Sequence, residues 1–118
     1  MKAVLTPLEE FMILPEATLG SAPSWFGFPI TLKDDAPVNR VDLLKYLDQH
    51  KIGTRQLFAG NITRQPYFEG RNYRVATSLE RSDTVMNNTF WIGVYPALDT
   101  EMLDYTAQKI SEFLGAGF

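Results

Sequence analysis

The pattern of hydrophobic and polar positions along the chain predicts short strands that alternate with helices. Strands are expected where aromatic and β-branched residues run together, at 24–32, at 52–56 and, most clearly, at 89–95. Pro29 confines the first of these strands to an edge or a bulge, because proline cannot donate a ladder hydrogen bond. The sequence therefore predicts two or three strands that are covered on one face by helices.

Three helices are predicted, at 39–51, 78–88 and 99–115, from apolar residues that recur at three- and four-residue spacing. Asn39 and Asp99 are typical N-cap residues for the first and last of these helices. The order of elements predicts an α+β fold, with a short and mainly antiparallel sheet covered by helices.

The first 23 residues are predicted to form a loosely tied lead-in. Residues 2–12 have a short helical pattern that Pro15 ends, and residues 16–24 are rich in glycine, serine and proline. We therefore expect one domain over residues 1–118, in which the α+β body begins at residue 24.

Composition and charge exclude several classes of function. A net charge of −3 and an isoelectric point of about 5.0 argue against nonspecific binding to nucleic acid or to a membrane surface. The chain has no cysteine and one histidine, so it contains no disulfide, no thiolate nucleophile and no cysteine or histidine metal cluster of its own. No apolar run reaches the length of a membrane span and no signal-peptide pattern is visible, so a cytoplasmic location is expected.

We expect structural and not catalytic roles for the single histidine and the two tryptophans. His50 lies near the end of a predicted helix, where the helix dipole favours a cation, so we interpret it as a helix-end residue and not as a general base. Trp25 and Trp91 each lie in a predicted strand and are expected to form a cross-strand pair in the core. The chain is therefore expected to contain a binding loop without a catalytic set of its own.

Residues 52–68, with the sequence IGTRQLFAGNITRQPYF, form the candidate functional segment. Guanidinium forks bind phosphate or carboxylate with paired hydrogen bonds, and aromatic faces accept a ring. The arginines from residue 52 to 81 are Arg55, Arg64, Arg71, Arg74 and Arg81, against the acids Glu69 and Glu80. This excess of arginine predicts a recognition loop for an anionic ligand that carries a ring. Two alternatives stay open: a surface loop anchored by its aromatic residues, and arginines paired with Glu69, Glu80 or an acid outside the chain.

Three blocks of the sequence resemble one known family. They are SWFGFP at 24–29, GTRQLFAGNITRQP at 53–66 and MNNTFWIGVYP at 86–96. These blocks resemble the C-terminal domain of the CDP-4-keto-6-deoxyglucose-3-dehydratases of lipopolysaccharide sugar biosynthesis, within the wider DegT/DnrJ/EryC1/StrS group of sugar aminotransferase-like proteins. The similarity extends from about Leu5 to Leu114.

The resemblance implies the small C-terminal domain of a fold-type I aminotransferase-like enzyme, in which a large cofactor domain comes first. Such enzymes use pyridoxamine phosphate (PMP), the amine form of pyridoxal phosphate (PLP), to expel the C3 hydroxyl of a CDP-linked 4-keto-6-deoxy sugar. Their large domain carries a histidine base and a [2Fe–2S] cluster, and a separate reductase delivers electrons. The parent enzyme is expected to be a homodimer.

The sequence departs from the family pattern because the residues of the large domain are absent from it. The chain alone is therefore expected to bind no cofactor and to be inactive, whereas its parent protein is expected to be an enzyme. The residues that separate a CDP-sugar dehydratase from a GDP-sugar dehydratase or a sugar aminotransferase lie in that large domain. A free-standing binding module without chemistry is the other alternative.

The resemblance also implies roles for the loop, because the small domain of such enzymes closes over the substrate. Arg55 and Arg64 are expected to face phosphate or sugar oxygens. Asn61 and Gln65 are expected to hydrogen-bond the sugar or to position the loop. Phe58 is expected to pack against the ligand. These five residues are the predicted substrate-binding set, and the chain is predicted to have no catalytic, cofactor-binding or metal-binding residue.

Overall fold

The structure, a computed structural model, describes residues 1–116. Its helices are α1 (Lys2–Leu5), α2 (Arg40–Gln49), α3 (Glu80–Asn88) and α4 (Thr100–Leu114). Its strands are β1 (Met12–Ile13), β2 (Phe28–Leu32), β3 (Thr54–Gln56) and β4 (Thr89–Ile92). Single turns of 3₁₀ helix occur at Thr6–Leu8, Ile62–Arg64 and Pro66–Phe68.

The strands form one antiparallel sheet in the order β1-β2-β4-β3. Side chains alternate between the two faces of a strand, so the register decides which residues share a face. Ile30 pairs with Phe90, and both are fully buried beneath the helices. Pro29 pairs with Trp91, and Trp91 pairs with Arg55 on its other side, so these three residues lie on the face away from that core. The predicted α+β fold with an antiparallel sheet is confirmed.

The two helices α2 and α4 begin where local chemistry predicts, and α4 also ends there, whereas α2 ends at Gln49, two residues before its predicted end. The side chain of Asn39 accepts a hydrogen bond from Asp42 N at the start of α2, and that of Asp99 accepts one from Met102 N at the start of α4. The last helix ends at Gly115, which adopts a left-handed conformation with φ +71°. The buried residues of the two helices are Leu43, Leu47, Thr106, Ala107, Ile110, Ser111 and Leu114.

The prediction of a loosely tied lead-in is wrong for its first 14 residues. Leu5, Leu8, Met12 and Leu14 are all buried in the core. Met12 pairs with Leu32 in a fourth strand that the sequence pattern did not predict. A strand of two residues is too short to show a period of two, which explains why the pattern missed it. The following stretch, residues 16–24, is exposed throughout, as a linker would be.

The predicted core pair of tryptophans is also wrong. The strand predicted at 24–32 begins at Phe28 in the structure, four residues after its predicted start. Trp25 therefore lies outside the sheet and is 40% exposed. Trp91 lies on the face away from the core, beside Phe26 and Phe58. Among residues 1–116, no helix is both long enough and apolar enough to cross a membrane.

Candidate functional site

The candidate loop begins directly after the edge strand β3 and is shaped by one buried amide. Asn61 is only 3% exposed, although it lies in a surface segment. Its Oδ1 accepts hydrogen bonds from the backbone N of Thr63 at 3.1 Å and from the hydroxyl of Thr63 at 2.8 Å. Its Nδ2 donates to Asp83 of α3 at 2.7 Å. The polar atoms of Asn61 are therefore used within the protein, which fits the positioning role among the two expected for this residue.

Gln65 closes the same turn from the other side. Its Nε2 donates to the carbonyl of Ala59 at 2.8 Å, which ties the end of the turn to its beginning. Between them lies Gly60, whose φ of +61° is accessible to glycine at little cost. These contacts give the segment 59–65 a defined shape before any ligand binds.

Arg64 makes a two-pronged ion pair with Asp83. Its Nε donates to Asp83 Oδ1 at 3.3 Å and its Nη2 donates to Asp83 Oδ2 at 2.9 Å. These hydrogen bonds raise the pKa of the Arg64 guanidinium and, together with the one from Asn61, lower the pKa of the Asp83 carboxyl. The intramolecular pairing that sequence reasoning left open therefore exists for Arg64, with Asp83 as its partner and not Glu69 or Glu80. The side chain of Arg64 nevertheless remains 60% exposed.

Arg55 differs from Arg64 because it is exposed and has no partner in the described part of the chain. It lies on β3 directly opposite Trp91, on the face of the sheet that the helices do not cover. No ion pair and no side-chain hydrogen bond of Arg55 occurs among residues 1–116. Its donors are therefore available to an anion that approaches this face.

Three aromatic rings lie together beside Arg55. The ring of Phe26 meets Trp91 edge-on with 5.1 Å between centroids, and the ring of Phe58 meets it edge-on at 5.5 Å. Trp91 itself lies flat against Gly27, where a Cβ atom would stand 2.8 Å from the indole ring. We call Phe26, Phe58 and Trp91 the aromatic trio.

Two members of the aromatic trio are much more exposed than aromatic residues of a folded core. Phe26 is 83% exposed and Phe58 is 85% exposed. Phe58 also has a φ of +40°, a left-handed conformation that is unfavourable for a bulky side chain. A strained and exposed aromatic residue is a candidate for binding a ligand or another protein surface, so the trio is a candidate extension of the predicted site beyond its loop.

A groove of about 470 Å³ runs along the second half of the loop, and Arg64 and Gln65 line it. Arg71 lines it as well, and its guanidinium lies over the ring of Tyr67 at 4.0 Å from the centroid. Arg71 Nε donates to the carbonyl of Tyr67 at 3.0 Å. The predicted set therefore divides between two places: Arg64 and Gln65 at this groove, and Arg55 and Phe58 at the aromatic trio.

A larger cleft of about 1170 Å³ lies elsewhere, between the end of α2 and the start of α4. Its lining includes His50, Lys51, Asp99 and Tyr105. His50 Nδ1 lies 2.8 Å from the carbonyl of Tyr46, and the hydroxyl of Tyr105 donates to the carbonyl of His50 at 3.2 Å. His50 is the C-cap residue of α2, at the helix end where the sequence places it. Nothing in the sequence pattern indicated this cleft, because its residues come from segments that are far apart in the chain.

Sequence reasoning missed three further residues of the site, namely Asp83, Trp91 and Phe26. Asp83 carries the contacts of the loop to α3, but in the sequence it is one acid among several in a predicted helix. Trp91 is expected in the core from the sequence because it lies in a predicted strand, whereas in the structure only its neighbours Phe90 and Ile92 in β4 are buried. The signal that could have revealed Trp91 was the strand register, since Trp91 falls on the opposite parity from Phe90 and Ile92.

Comparison with curated proteins finds two relatives. The chain is 58% identical over 118 residues, 100% of its length, to the lipopolysaccharide biosynthesis protein RfbH of Salmonella typhimurium, and covers 27% of that protein. It is 50% identical over 103 residues, 87% of its length, to dTDP-4-dehydro-2,6-dideoxy-D-glucose 3-dehydratase of Saccharopolyspora spinosa, and covers 22% of it. The chain thus spans about a quarter of the length of the curated relatives it matches.

Solved structures of PLP-dependent enzymes share the fold. The chain is similar to Escherichia coli GDP-4-keto-6-deoxy-D-mannose-3-dehydratase with bound hydrated PLP, with a TM-score of 0.77 and 20% identity over 92% of this chain and 28% of that one. It is also similar to a DegT/DnrJ/EryC1/StrS aminotransferase from Brucella abortus, with a TM-score of 0.76 and 17% identity over 97% of this chain and 29% of that one. The predicted small domain of an aminotransferase-like enzyme is confirmed at the level of fold. Together with the match of residues 1–111 to the family as a whole, these similarities show that the chain belongs to the DegT/DnrJ/EryC1/StrS aminotransferase family.

Proposed function

We propose that the chain is the small C-terminal domain of a PMP-dependent enzyme that removes the C3 hydroxyl of a nucleotide-linked 4-keto-6-deoxy sugar. In lipopolysaccharide biosynthesis such a step leads to 3,6-dideoxyhexoses. The similarity to RfbH, which extends over all 118 residues, supports this pathway. The name of the second relative, a 3-dehydratase, supports the reaction.

The observation that carries the role of this domain is the unpaired Arg55 beside the aromatic trio. A nucleotide sugar presents a diphosphate, a base and a sugar ring within one molecule. An exposed guanidinium can bind the phosphate oxygens while an adjacent aromatic face accepts a ring. Arg55 therefore binds the diphosphate and Phe58 packs against a ring of the ligand. Asn61 and Gln65 keep the loop in the shape that presents these groups, and Arg64 offers its Nη1 to a phosphate or sugar oxygen.

The residues of this chain do not fit a cofactor site of their own. The sequence has no cysteine to ligate a [2Fe–2S] cluster, and residues 1–116 contain no cluster of three metal-binding side chains. Asp83, which could pair with a pyridine nitrogen, and the amides of Asn61 and Gln65 already bond to other groups of the protein. Arg55 and one edge of Arg64 alone do not make up a cofactor site. We therefore place PMP or PLP, the iron–sulfur cluster and the base in the large domain of the parent enzyme.

The parent enzyme then provides the other partners. Its large domain lies upstream of this one, two copies form a homodimer, and a reductase supplies the electrons. Closure of this domain over the bound CDP-sugar brings the loop to the substrate and excludes water from the reaction.

The experiment that tests the proposal uses the full-length protein that contains this chain, loaded with PMP. It is incubated in turn with the CDP-, GDP- and dTDP-linked 4-keto-6-deoxy sugars in the presence of a reductase, and the products are separated by mass. Loss of the C3 hydroxyl with the CDP-sugar supports the proposal. Transfer of an amino group to C4 would instead establish a sugar aminotransferase, the second candidate, which shares this fold in the Brucella enzyme.

A further inference from the structure

Helix α3 has an unusual relation to the rest of the fold, because none of its residues is fully buried. It lies beside β2 and β4. Arg40 Nη1 donates to the carbonyl of Met86, and Asn88 Nδ2 donates to Asp34. The helix also contacts the candidate loop. Met86 lies beneath Gly60, where a Cβ atom would stand 2.5 Å from Met86 Cγ, and Asp83 bonds two loop residues. The helix therefore connects the candidate loop to the sheet.

Asp83 is the residue through which this connection acts. Its Oδ1 accepts from Asn61 Nδ2 at 2.7 Å and from Arg64 Nε at 3.3 Å, and its Oδ2 accepts from Arg64 Nη2 at 2.9 Å. Asn61 in turn receives two hydrogen bonds from Thr63. One carboxylate thus connects a buried amide, a 3₁₀ turn and an exposed guanidinium, all from a segment about 20 residues earlier in the chain.

The ion pair between Arg64 and Asp83 is better suited to orientation than to stability. The side chain of Arg64 is 60% exposed and that of Asp83 is 26% exposed, and partly exposed pairs contribute little to the free energy of unfolding. The two-pronged geometry, however, fixes the plane of the guanidinium. The two hydrogen bonds to Asp83 use Nε and one N–H of Nη2 of Arg64, and Nη1 makes no hydrogen bond among residues 1–116. Arg64 is therefore held with one defined edge available at the groove of about 470 Å³.

We propose that Asp83 is a positioning residue for substrate binding: it holds the loop on α3 and aims the free edge of Arg64 at the nucleotide sugar. This role rests on the proposed function, since it assumes that the loop meets a nucleotide sugar. Asp83 itself does not touch the substrate. Its effect reaches the substrate through Arg64 and through the shape that Asn61 gives to the turn.

The experiment compares variants of the full-length enzyme by steady-state kinetics with the nucleotide sugar that the wild type consumes. The variants are Asp83→Asn, Arg64→Lys and the double variant. An amide at position 83 turns one acceptor into a donor, which then faces the donors of Arg64 and Asn61. The matched control is Glu80→Gln, because Glu80 lies in the same first turn of α3, is exposed and makes no side-chain hydrogen bond among residues 1–116.

We expect Asp83→Asn to raise KM by about tenfold while kcat stays within about twofold, because a lost charge-assisted contact weakens binding without changing the chemistry. Arg64→Lys should raise KM by a similar factor. The effect of the double variant should be smaller than the product of the two single effects, because both variants remove the contact between Arg64 and Asp83. Glu80→Gln should behave as wild type. An unchanged KM in Asp83→Asn overturns the proposal, and so does a double variant in which the two effects multiply.

Two further measurements keep the result interpretable. If Asp83→Asn does not fold, Asp83→Glu keeps the charge but moves the carboxylate away from its partners, and it should raise KM in a folded enzyme; a wild-type KM there overturns the role. Amide exchange over residues 57–68 of the 118-residue chain tests Asp83 without any substrate. Faster exchange in Asp83→Asn but not in Glu80→Gln supports the anchoring even if the wild-type enzyme consumes no nucleotide sugar, which would refute the proposed function separately. Equal exchange in both variants overturns the anchoring.

Discussion

Gly60 of the loop lies directly against Met86 of α3, with no room for a side chain between them. A Cβ atom at Gly60 would stand 2.5 Å from Met86 Cγ and 3.0 Å from Met86 Cα, and the second of these atoms belongs to the backbone and cannot swing away. The loop and the helix are therefore in close contact at this point as well as at Asp83.

We expect Gly60→Ala to lower the free energy of unfolding by about 1–3 kcal/mol, through the positive φ and the overpacking against Met86. Gly70→Ala is the matched control, because Gly70 has a similar φ of +73° but nothing within 4 Å of its Cβ position. The difference between the two variants in urea unfolding isolates the contact with α3. Equal losses in both would show that only the backbone conformation matters.

The second prediction concerns Arg55. In the full-length enzyme, Arg55→Lys should reduce kcat/KM by about ten- to a hundredfold, because lysine cannot reproduce a two-pronged contact with a phosphate. Its melting temperature should not change, because the described residues give Arg55 no partner to lose. Arg81→Lys, an exposed arginine on α3, is the control and should keep wild-type kinetics. Wild-type kinetics for Arg55→Lys would show that the site lies elsewhere.

The third prediction concerns the stability of the protein at low pH. The hydrogen bonds from Arg64 and Asn61 hold the pKa of Asp83 below its ordinary value of 3.8. A carboxyl whose pKa is depressed by folding stabilises the protein fully above the unfolded value and loses that effect as the pH falls through the folded value. This part of the stability should therefore be constant down to about pH 4 and decline below it. Urea unfolding at a series of pH values should show a shallower decline for Asp83→Asn than for wild type; identical curves would contradict the pairing.

The fourth prediction concerns the aromatic trio. The 118-residue chain should associate with itself through Phe26 and Phe58, because their rings present apolar surface to solvent. Sedimentation velocity should show a weaker association for Phe58→Ser than for wild type. Val41→Ser on α2, where Val41 is 53% exposed, is the control and should leave the association unchanged. A strict monomer at high concentration would contradict the prediction.

The fifth prediction concerns the cofactor. Asn61, Gln65 and Asp83 are already bonded, which leaves only Arg55 and one edge of Arg64 to hold a cofactor phosphate. We therefore expect the 118-residue chain to bind neither PLP nor PMP in a saturable manner. Calorimetric and absorbance titrations check this directly. A tight complex with one cofactor per chain would place the cofactor site in this domain and refute its assignment to the large domain.

Local chemistry made parts of this fold predictable from the sequence. The caps Asn39 and Asp99 and the terminal Gly115 act within one turn of the chain, so the starts of α2 and α4 and the end of α4 follow from neighbouring residues alone. The pairing of Met12 with Leu32 could not be predicted in this way, because it joins segments 20 residues apart and leaves too short a pattern.

The same difference between local and long-range contacts decides which parts of the candidate site could be predicted. The loop was found because Arg55, Arg64 and Phe58 lie close together in the sequence, in a segment with strong turn signals. The hydrogen bonds that anchor the loop to Asp83 could not be predicted, because α3 lies beside the loop only after the chain has folded. The face of the sheet on which Trp91 lies could not be predicted either. It is defined by the pairing of Trp91 with Pro29 and Arg55.

The burial of Leu5 and Leu8 has a consequence for synthesis of the protein. Their helical segment packs on α4, so the first turn and the last helix complete the same core from opposite ends of the sequence. Ile110 and Leu114 are synthesised about 100 residues after Leu5 and Leu8, and until then the apolar residues of that first segment have no complete surface to cover them. The core of this domain therefore cannot close before α4 has been synthesised, and we expect the domain to fold only after α4 has left the ribosome.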